Sequence, residues 1–130
     1  MANFSPRSSA ILNTCDEQVR VVMEATIASL RAGDPVCHDM TIISGYRTDE
    51  EQAVKVREGN SRTMQSKHRE TPSMAVDVAP YPVDWSDEEA FIYLAGRIMA
   101  TADRLGIPLL WGGSWTSLRD LGHFELITED

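Results

Sequence analysis

Apolar side chains recur with helical spacing most regularly between residues 91 and 105. Ser86 and Glu89 precede this stretch with the spacing of a capping box, and Gly106 and Pro108 follow it as stop signals. The apolar positions fall on one face of a helix and are Phe91, Leu94, Ala95, Ile98, Met99, Ala102 and Leu105. The pattern predicts a long amphipathic helix whose apolar face packs in the core, and it is not typical of a cofactor site.

Two further segments begin with the same start signal. Thr14 and Glu17 introduce a helix that we expect to reach about residue 31, with Gly33 as its stop. Its apolar face comprises Val19, Val22, Met23, Ile27 and Leu30. Thr48 and Glu51 introduce a shorter helix that is expected to end near residue 59.

Short segments with strand character lie between the helices, at 40–46, 74–79, Leu109–Trp111 and 123–127. Side chains alternate between the two faces of a strand, so Asp77 should point away from its neighbouring valines, and His123 and Glu125 should point away from Phe124. The simplest assembly is an α+β fold: a small, mostly antiparallel sheet with helices packed on one face and a polar site on the other. We expect a single domain over residues 1–130.

Charge and cysteine content narrow the class of protein. The chain has 12 Lys and Arg residues against 20 Asp and Glu residues, a formal net charge of −8, and its basic residues are scattered. This argues against nucleic acid as a partner and against a basic membrane-binding helix. Neither a secretory signal nor a membrane span is evident, so we expect a soluble product made in the cytoplasm. Cys15 and Cys37 do not form a C-x-x-C motif and are expected to be buried free thiols.

Two of the three histidines lie near carboxylates where a loop meets a predicted strand. His68 precedes Asp77, and His123 lies between Asp120 and Glu125. Two imidazoles and one carboxylate would give a catalytic zinc ion three protein ligands and an open position for water. Asp77 is also costly to bury in MAVDVA unless a positive charge compensates it. On the residues alone, a metal site competes with the interpretation of His68 as a solvated loop residue.

Four motifs occur in order over most of the chain: SGYRTDEEQ, SKH followed by AVDVAPYP, WGGSW, and D-x-x-HFEL. Together they resemble the zinc D-Ala-D-Ala carboxypeptidase and L-alanyl-D-glutamate peptidase family, particularly its single-domain bacteriophage endolysins. The resemblance implies a hedgehog/DD-peptidase-like fold, a zinc cofactor and a peptidoglycan stem peptide as substrate.

By this resemblance the metal ligands fall on His68, Asp77 and His123, and the catalytic acid falls on Asp120. Arg47, in SGYRT, would face the scissile carbonyl; a surface ion pair is its alternative, and a plain loop carboxylate is the alternative for Asp120. Zinc can bring the pKa of a bound water toward about 7. Asp120 would take the water's proton and pass it to the leaving amine, while zinc and Arg47 would stabilise the oxyanion.

Several roles near the ligands stay open. Glu125 competes with Asp120 as the base, although its equivalent in the family is better explained as a partner that orients a ligand. Ser66, Trp111 and Trp115 are candidates to line the substrate groove, and core packing is the alternative for both tryptophans.

The chain departs from the family pattern in three places. Eight residues, RETPSMAV, separate His68 from Asp77, where the family usually has six with a Gly among them. We expect this difference to lengthen a loop at little cost. Ser114 stands where WGGDW is common, and Gly122 stands where Pro often precedes HFE. None of these departures removes a ligand.

The resemblance implies an endolysin, a zinc metallopeptidase that cleaves the L-alanyl-D-glutamate bond of the stem peptide. A D-alanyl-D-alanine carboxypeptidase uses the same metal site and is the first alternative. A non-catalytic zinc-binding interaction module and a metal-free binding domain are alternatives of another class. We expect a monomer that is made in the host cytoplasm and acts on the cell wall in the periplasm, after a separate pore-forming protein has permeabilised the membrane.

Overall fold

Helices and short strands alternate along the described part of the chain, which comprises residues 2–57, 67–69, 71–115 and 119–128 of a computed structural model. The helices are α1 (Pro6–Leu12), α2 (Glu17–Ser29), α3 (Asp49–Arg57) and α4 (Glu88–Leu105). The strands are β1 (Met40–Ser44), β2 (Ala75–Pro80), β3 (Leu109–Trp111) and β4 (His123–Leu126). Short 3-10 helices cover Lys67–Arg69 and Gly112–Ser114. Among these helices, none has the length and apolar character needed to span a membrane.

The strands form one antiparallel sheet in the order β1-β2-β4-β3. Asp77 on β2 lies opposite His123 on β4, and Ala75 lies opposite Glu125. A register irregularity in β1 places Ser44 opposite Asp77 as well. The polar side chains of β2 and β4 therefore share one face of the sheet, as the alternation predicts.

The opposite face of the sheet carries the core. Helices α2 and α4 pack together over it, and the buried cluster includes Val19, Met23, Ile42, Val76, Val78, Leu94, Ile98, Leu109, Phe124 and Leu126. Every residue of the apolar stripe predicted for α4 packs in or against this cluster except Phe91, which is also buried, and Leu105, which is 41% exposed. The predicted α+β fold, with helices on one face and a polar site on the other, is confirmed.

Aspartates, rather than the predicted hydroxyl residues, begin two of the helices. The Asp16 carboxylate accepts a hydrogen bond from the Gln18 N–H and starts α2, whereas Thr14 donates to a backbone carbonyl and accepts from the Tyr46 N–H. Asp87 likewise caps α4 by accepting from the Ala90 N–H. The predicted boxes at residues 14 and 86 are therefore wrong, because an aspartate nearer the helix satisfies the free N–H groups.

Of the other predicted helix start and stop signals, two are confirmed and one is wrong. Thr48 and Glu51 form the predicted reciprocal capping box at the start of α3, at 3.0 and 3.2 Å. Gly106 ends α4 in the left-handed conformation, with φ of 71°. Gly33 does not end α2, which stops at Ser29 because Leu30 is already extended.

The two cysteines are buried and free, as expected.

Helix α1 was not predicted, although Ser5 and Pro6 are typical N-terminal signals. It lies along the edge of β1, where the Ile42 N–H donates to Ser8 Oγ at 3.0 Å and Arg7 Nη1 donates to the Ile42 carbonyl at 3.1 Å. These side chains satisfy backbone groups that an edge strand would otherwise present for pairing with another chain.

Candidate metal centre

Three side-chain atoms from distant parts of the chain converge on the polar face of the sheet. Asp77 Oδ1 lies 2.9 Å from His123 Nδ1 and 3.3 Å from His68 Nε2, and the two nitrogens are 3.2 Å apart. Strand pairing sets Asp77 beside His123, and the 3-10 helix brings His68 over them. The structure thus brings together the three residues predicted as metal ligands, in a group able to hold a metal ion.

The hydrogen bonds on the far side of each imidazole fix its orientation. His68 Nδ1 lies 2.6 Å from the Gly45 carbonyl, and His123 Nε2 lies 2.8 Å from Glu125 Oε1. A carbonyl and a carboxylate only accept, so these two nitrogens carry the protons. In the neutral rings, the opposite nitrogens then direct their lone pairs at the point that Asp77 Oδ1 also faces.

This donor set fits a zinc ion. Zinc binds imidazole nitrogen and carboxylate oxygen at about 2.0–2.2 Å in tetrahedral sites, so neighbouring ligand atoms are roughly 3.3–3.5 Å apart. The observed separations of 2.9–3.3 Å are close to one triangular face of such a tetrahedron. Three electron-pair donors at this distance repel one another unless a proton or a metal ion lies between them.

The pKa shifts of His123 and Asp77 also indicate that this group of side chains favours a positive charge. Burial by itself would lower the pKa of His123, but hydrogen bonds to Asp77 and Glu125 outweigh it and raise that pKa to about 9. Burial would raise the pKa of Asp77, yet its hydrogen bonds to both imidazoles hold it well below its usual range. Both shifts favour a cation at the centre of the group.

The second carboxylate oxygen of Asp77 is held from behind. Oδ2 accepts hydrogen bonds from Arg47 Nη2 and from Ser44 Oγ, both at 2.7 Å. Arg47 Nη1 donates to Gln52 Oε1 at 3.0 Å, and Arg47 is only 8% exposed. Arg47 is therefore a buried ion-pair partner of Asp77, and its interpretation as a surface ion pair is wrong. These contacts turn the remaining oxygen, Oδ1, toward the two imidazoles.

Glu125 is clamped in the same manner. Its Oε1 accepts from His123, and its Oε2 lies 3.3 Å from Lys67 Nζ, which also donates to the Leu126 carbonyl at 2.6 Å. Lys67 thus orients Glu125, and Glu125 orients the ring of His123. Burial opposes ionisation of Glu125, but the contacts with His123 and Lys67 lower its pKa.

We expect Glu125→Ala to weaken zinc binding by about 10- to 100-fold, because groups that orient a metal-ligating imidazole contribute on that scale. Competition with a chromophoric chelator would measure the affinity. Glu24→Ala, which removes an exposed glutamate from α2, is the matched control and should bind zinc as the wild type does. Wild-type affinity in the Glu125 variant would remove this residue from the support of the site.

Asp120 lies near Asp77 and His123, in a turn that packs against the WGGSW segment. Its N–H donates to the Gly112 carbonyl at 3.1 Å, and its Oδ1 accepts from the Gly122 N–H at 3.3 Å. A Cβ at Gly112 would come within 2.5 Å of the Asp120 carbonyl and 3.0 Å of the His123 Cβ, so this glycine permits the close approach. Burial, followed by the negative charge of Asp77, raises the pKa of Asp120.

The residues predicted to line a substrate groove have different surroundings. The ring centroids of Trp115 and His123 are 4.9 Å apart, with the planes tilted by 43°, so Trp115 lies beside the candidate metal centre. Trp111 donates from Nε1 to the Leu121 carbonyl at 2.8 Å and packs against the core, which favours the packing alternative. Ser66 lies outside the described residues.

Sequence reasoning missed four residues that support the predicted ligands: Ser44, Gly45, Gln52 and Lys67. Ser44 and Gly45 belong to SGYRT and Lys67 to SKH, so the motifs contained the signal. Gly45 accepts from His68 where a Cβ would lie 2.5 Å from Thr14 Oγ1. Gln52 closes the motif SGYRTDEEQ, but its role becomes clear only when α3 folds against Arg47.

The departures from the family pattern fit the fold. A Cβ at Gly122 would lie 2.3 Å from the Val78 carbonyl, so glycine suits the close packing of this turn on β2. On the longer connection from His68 to Asp77, Ser73 is tied back to the segment before α2: its N–H donates to the Thr14 carbonyl and its carbonyl accepts from the Asp16 N–H, at 2.9 and 2.8 Å. The extra residues therefore leave Asp77 anchored, and Glu70 falls outside the described part.

Comparisons with known proteins agree with this geometry. Residues 1–127 match the family described as phage L-alanyl-D-glutamate peptidase. The crystal structure of Serratia marcescens L-Ala D-Glu endopeptidase ChiX superposes with a TM-score of 0.78 at 27% identity, covering 96% of this chain and 90% of that one. No curated protein matches the chain significantly. The family match spans nearly the whole sequence, and the chain belongs to the phage L-alanyl-D-glutamate peptidase family.

Proposed function

We propose that this protein is a zinc metallopeptidase that hydrolyses the stem peptide of peptidoglycan at the L-alanyl-D-glutamate bond. Its family and the named activity of ChiX support the substrate and the bond. The observation that carries the zinc assignment is the convergence of His68 Nε2, Asp77 Oδ1 and His123 Nδ1, each held by a partner on its far side.

When bound, zinc would acidify a water molecule and polarise the scissile carbonyl. Asp120 is the side chain that accepts the water's proton and later delivers it to the leaving amine of D-glutamate. Burial raises its pKa above that of an ordinary aspartate, which suits a group that must both take and give a proton. Glu125 is less suited, because both of its oxygens are engaged and its pKa is lowered.

Arg47 contributes in two ways. It holds Asp77 in the orientation that faces the imidazoles. Its guanidinium also places a permanent positive charge behind Asp77, and this charge would stabilise the negative charge that develops on the scissile carbonyl oxygen. Its Nε is buried without a hydrogen-bond partner among the described residues. A buried donor of this kind is costly and is consistent with a role in charge stabilisation.

The alternatives differ in what they leave unexplained. A D-alanyl-D-alanine carboxypeptidase would use the same metal centre. The family and ChiX are the reasons to prefer the L-alanyl-D-glutamate bond as the one that is cleaved. A non-catalytic zinc module gives no reason for a partly buried carboxylate with a raised pKa beside the ligands. A single domain, a monomeric state and delivery by a pore-forming protein stay predictions from the sequence.

Product analysis separates the two bonds. The zinc-loaded protein is incubated with a free stem peptide that carries both an L-Ala-D-Glu bond and a terminal D-Ala-D-Ala, and products are identified by mass spectrometry. We expect release of L-alanine with D-Ala-D-Ala intact, and loss of the reaction after chelation. Release of D-alanine alone would overturn the bond assignment and leave the metal centre standing.

A further inference from the structure

Arg119 directly precedes Asp120 in the turn before β4, and its side chain is exposed. Its Nε donates a hydrogen bond to the Gly113 carbonyl at 3.3 Å. Its two terminal nitrogens form no hydrogen bond or ion pair with the residues that the structure describes. One edge of the guanidinium is therefore anchored, and its terminal N–H groups stay available to a ligand.

The segment that anchors Arg119 borders the candidate metal centre. A Cβ at Gly112 would lie 3.0 Å from the His123 Cβ and 3.2 Å from the Asp120 Cβ. The Gly112 carbonyl also accepts a hydrogen bond from the Asp120 N–H at 3.1 Å. Gly113, which holds the guanidinium, is the next residue along the chain. Arg119 therefore belongs to the Asp120 side of the centre.

The proposed reaction brings the D-glutamate residue of the substrate to the same side. Asp120 would deliver a proton to the leaving amine of D-glutamate, so this amine must come within hydrogen-bond distance of the Asp120 carboxylate. In the stem peptide the chain continues through the side-chain carboxyl group of D-glutamate. A free carboxylate therefore remains on the carbon that bears the amine, and it must lie close to Asp120 during catalysis.

A substrate carboxylate in this position needs a compensating cation, because it would otherwise be repelled by ionised Asp120. The formal charge of −8 on the whole chain adds to this repulsion. Two cations of the site are already committed to carboxylates of the protein. Arg47 is buried and paired with Asp77. Lys67 is paired with Glu125.

We propose that Arg119 binds the free carboxylate of D-glutamate and makes the enzyme selective for stem peptides in which this carboxylate is not amidated. The inference rests on the proposed function. A guanidinium presents parallel N–H donors that match the two oxygens of a carboxylate, and it keeps its charge at any physiological pH. Because Arg119 is the neighbour of Asp120, binding the carboxylate would also hold the scissile amine beside the group that protonates it.

The test compares two stem peptides that differ only in this carboxylate, which is free in one and amidated in the other. We expect the wild type to prefer the free carboxylate by about tenfold in kcat/KM, because a hydrogen bond to a charged group contributes on that scale. In Arg119→Ala the preference should disappear. Arg119→Lys, which keeps the charge but not the parallel donors, should retain part of it.

The ratio of the two substrates also separates recognition from damage to the turn. Loss of the bond to the Gly113 carbonyl would affect both substrates alike and would cancel in the ratio. Arg104→Ala, which removes an exposed arginine from the last turn of α4, is the matched control and should keep the wild-type preference. A preference in Arg119→Ala equal to that of the wild type would overturn the assignment.

Direct binding distinguishes this inference from the function on which it rests. The peptide that begins with D-glutamate, which is the expected product, is titrated calorimetrically into the zinc-loaded wild type and into zinc-loaded Arg119→Ala. We expect binding by the variant to be about tenfold weaker, and amidation of the peptide to remove the difference. A wild type that binds this peptide but cleaves no stem peptide would contradict the proposed function alone. Equal binding by both proteins would overturn the role of Arg119 alone.

Discussion

Asp120→Asn should lower kcat for stem-peptide hydrolysis by about 10²- to 10⁴-fold while zinc stays bound, because a positioned general acid–base contributes on that scale. The amide keeps the size of the side chain but cannot accept the water's proton. The Asp120 backbone, which holds the turn against Gly112, is unaffected by the change. Turnover of a free stem peptide and zinc content by atomic absorption would be measured on the same samples.

The matched control for this variant is Asp103→Asn, which changes an exposed aspartate of α4 and should leave both quantities unaltered. Loss of zinc together with turnover in the Asp120 variant would point to a structural role. Wild-type turnover would exclude Asp120 from the mechanism and direct attention to Glu125, the other carboxylate near His123.

Asp77→Ala is expected to have two large effects. Zinc affinity should fall by more than about 100-fold, since a direct ligand contributes more than the groups that orient it. The metal-free protein should also lose about 3–5 kcal/mol of its free energy of unfolding, because Arg47 would remain buried without its carboxylate partner. Chelator competition measures the first quantity, and urea denaturation of the metal-free protein measures the second.

A double-mutant cycle with Arg47→Ala tests the cause of the destabilisation. If the uncompensated guanidinium is responsible, the double variant should be destabilised by clearly less than the sum of the two single changes. Additive losses would mean that the two side chains stabilise the fold independently. A metal-free Asp77→Ala protein as stable as the wild type would contradict the account of this ion pair.

Local patterns were sufficient to predict much of the fold. The apolar period of α4 and the alternation in β2 and β4 are properties of neighbouring residues, so the helix, the strands and the shared face of Asp77 and His123 could be read from the sequence. The predicted starts of α2 and α4 were wrong because two capping candidates lay within a few residues of each other. Asp16 and Asp87 stand closer to the first free N–H groups than the hydroxyl residues that were preferred.

The candidate metal centre could not be predicted from the spacing of its residues alone. Nothing in the separation of His68 from Asp77 indicates that their side chains meet. From the residue types alone a metal site was one of two interpretations, and the resemblance of four motifs favoured it. The supporting contacts depend on how elements pack: Gln52 reaches Arg47 from α3, and Gly112 matters because another turn lies against it. Such contacts have no periodic signature along the chain.

Zinc content and coordination of the purified protein, measured together with its activity, test the central claim most directly. We predict one zinc ion per chain, an X-ray absorption spectrum with two imidazole nitrogens and a carboxylate oxygen at about 2.0–2.2 Å, and hydrolysis that disappears on chelation and returns with zinc. A protein that binds no stoichiometric zinc and cleaves the stem peptide equally well after chelation would contradict the account.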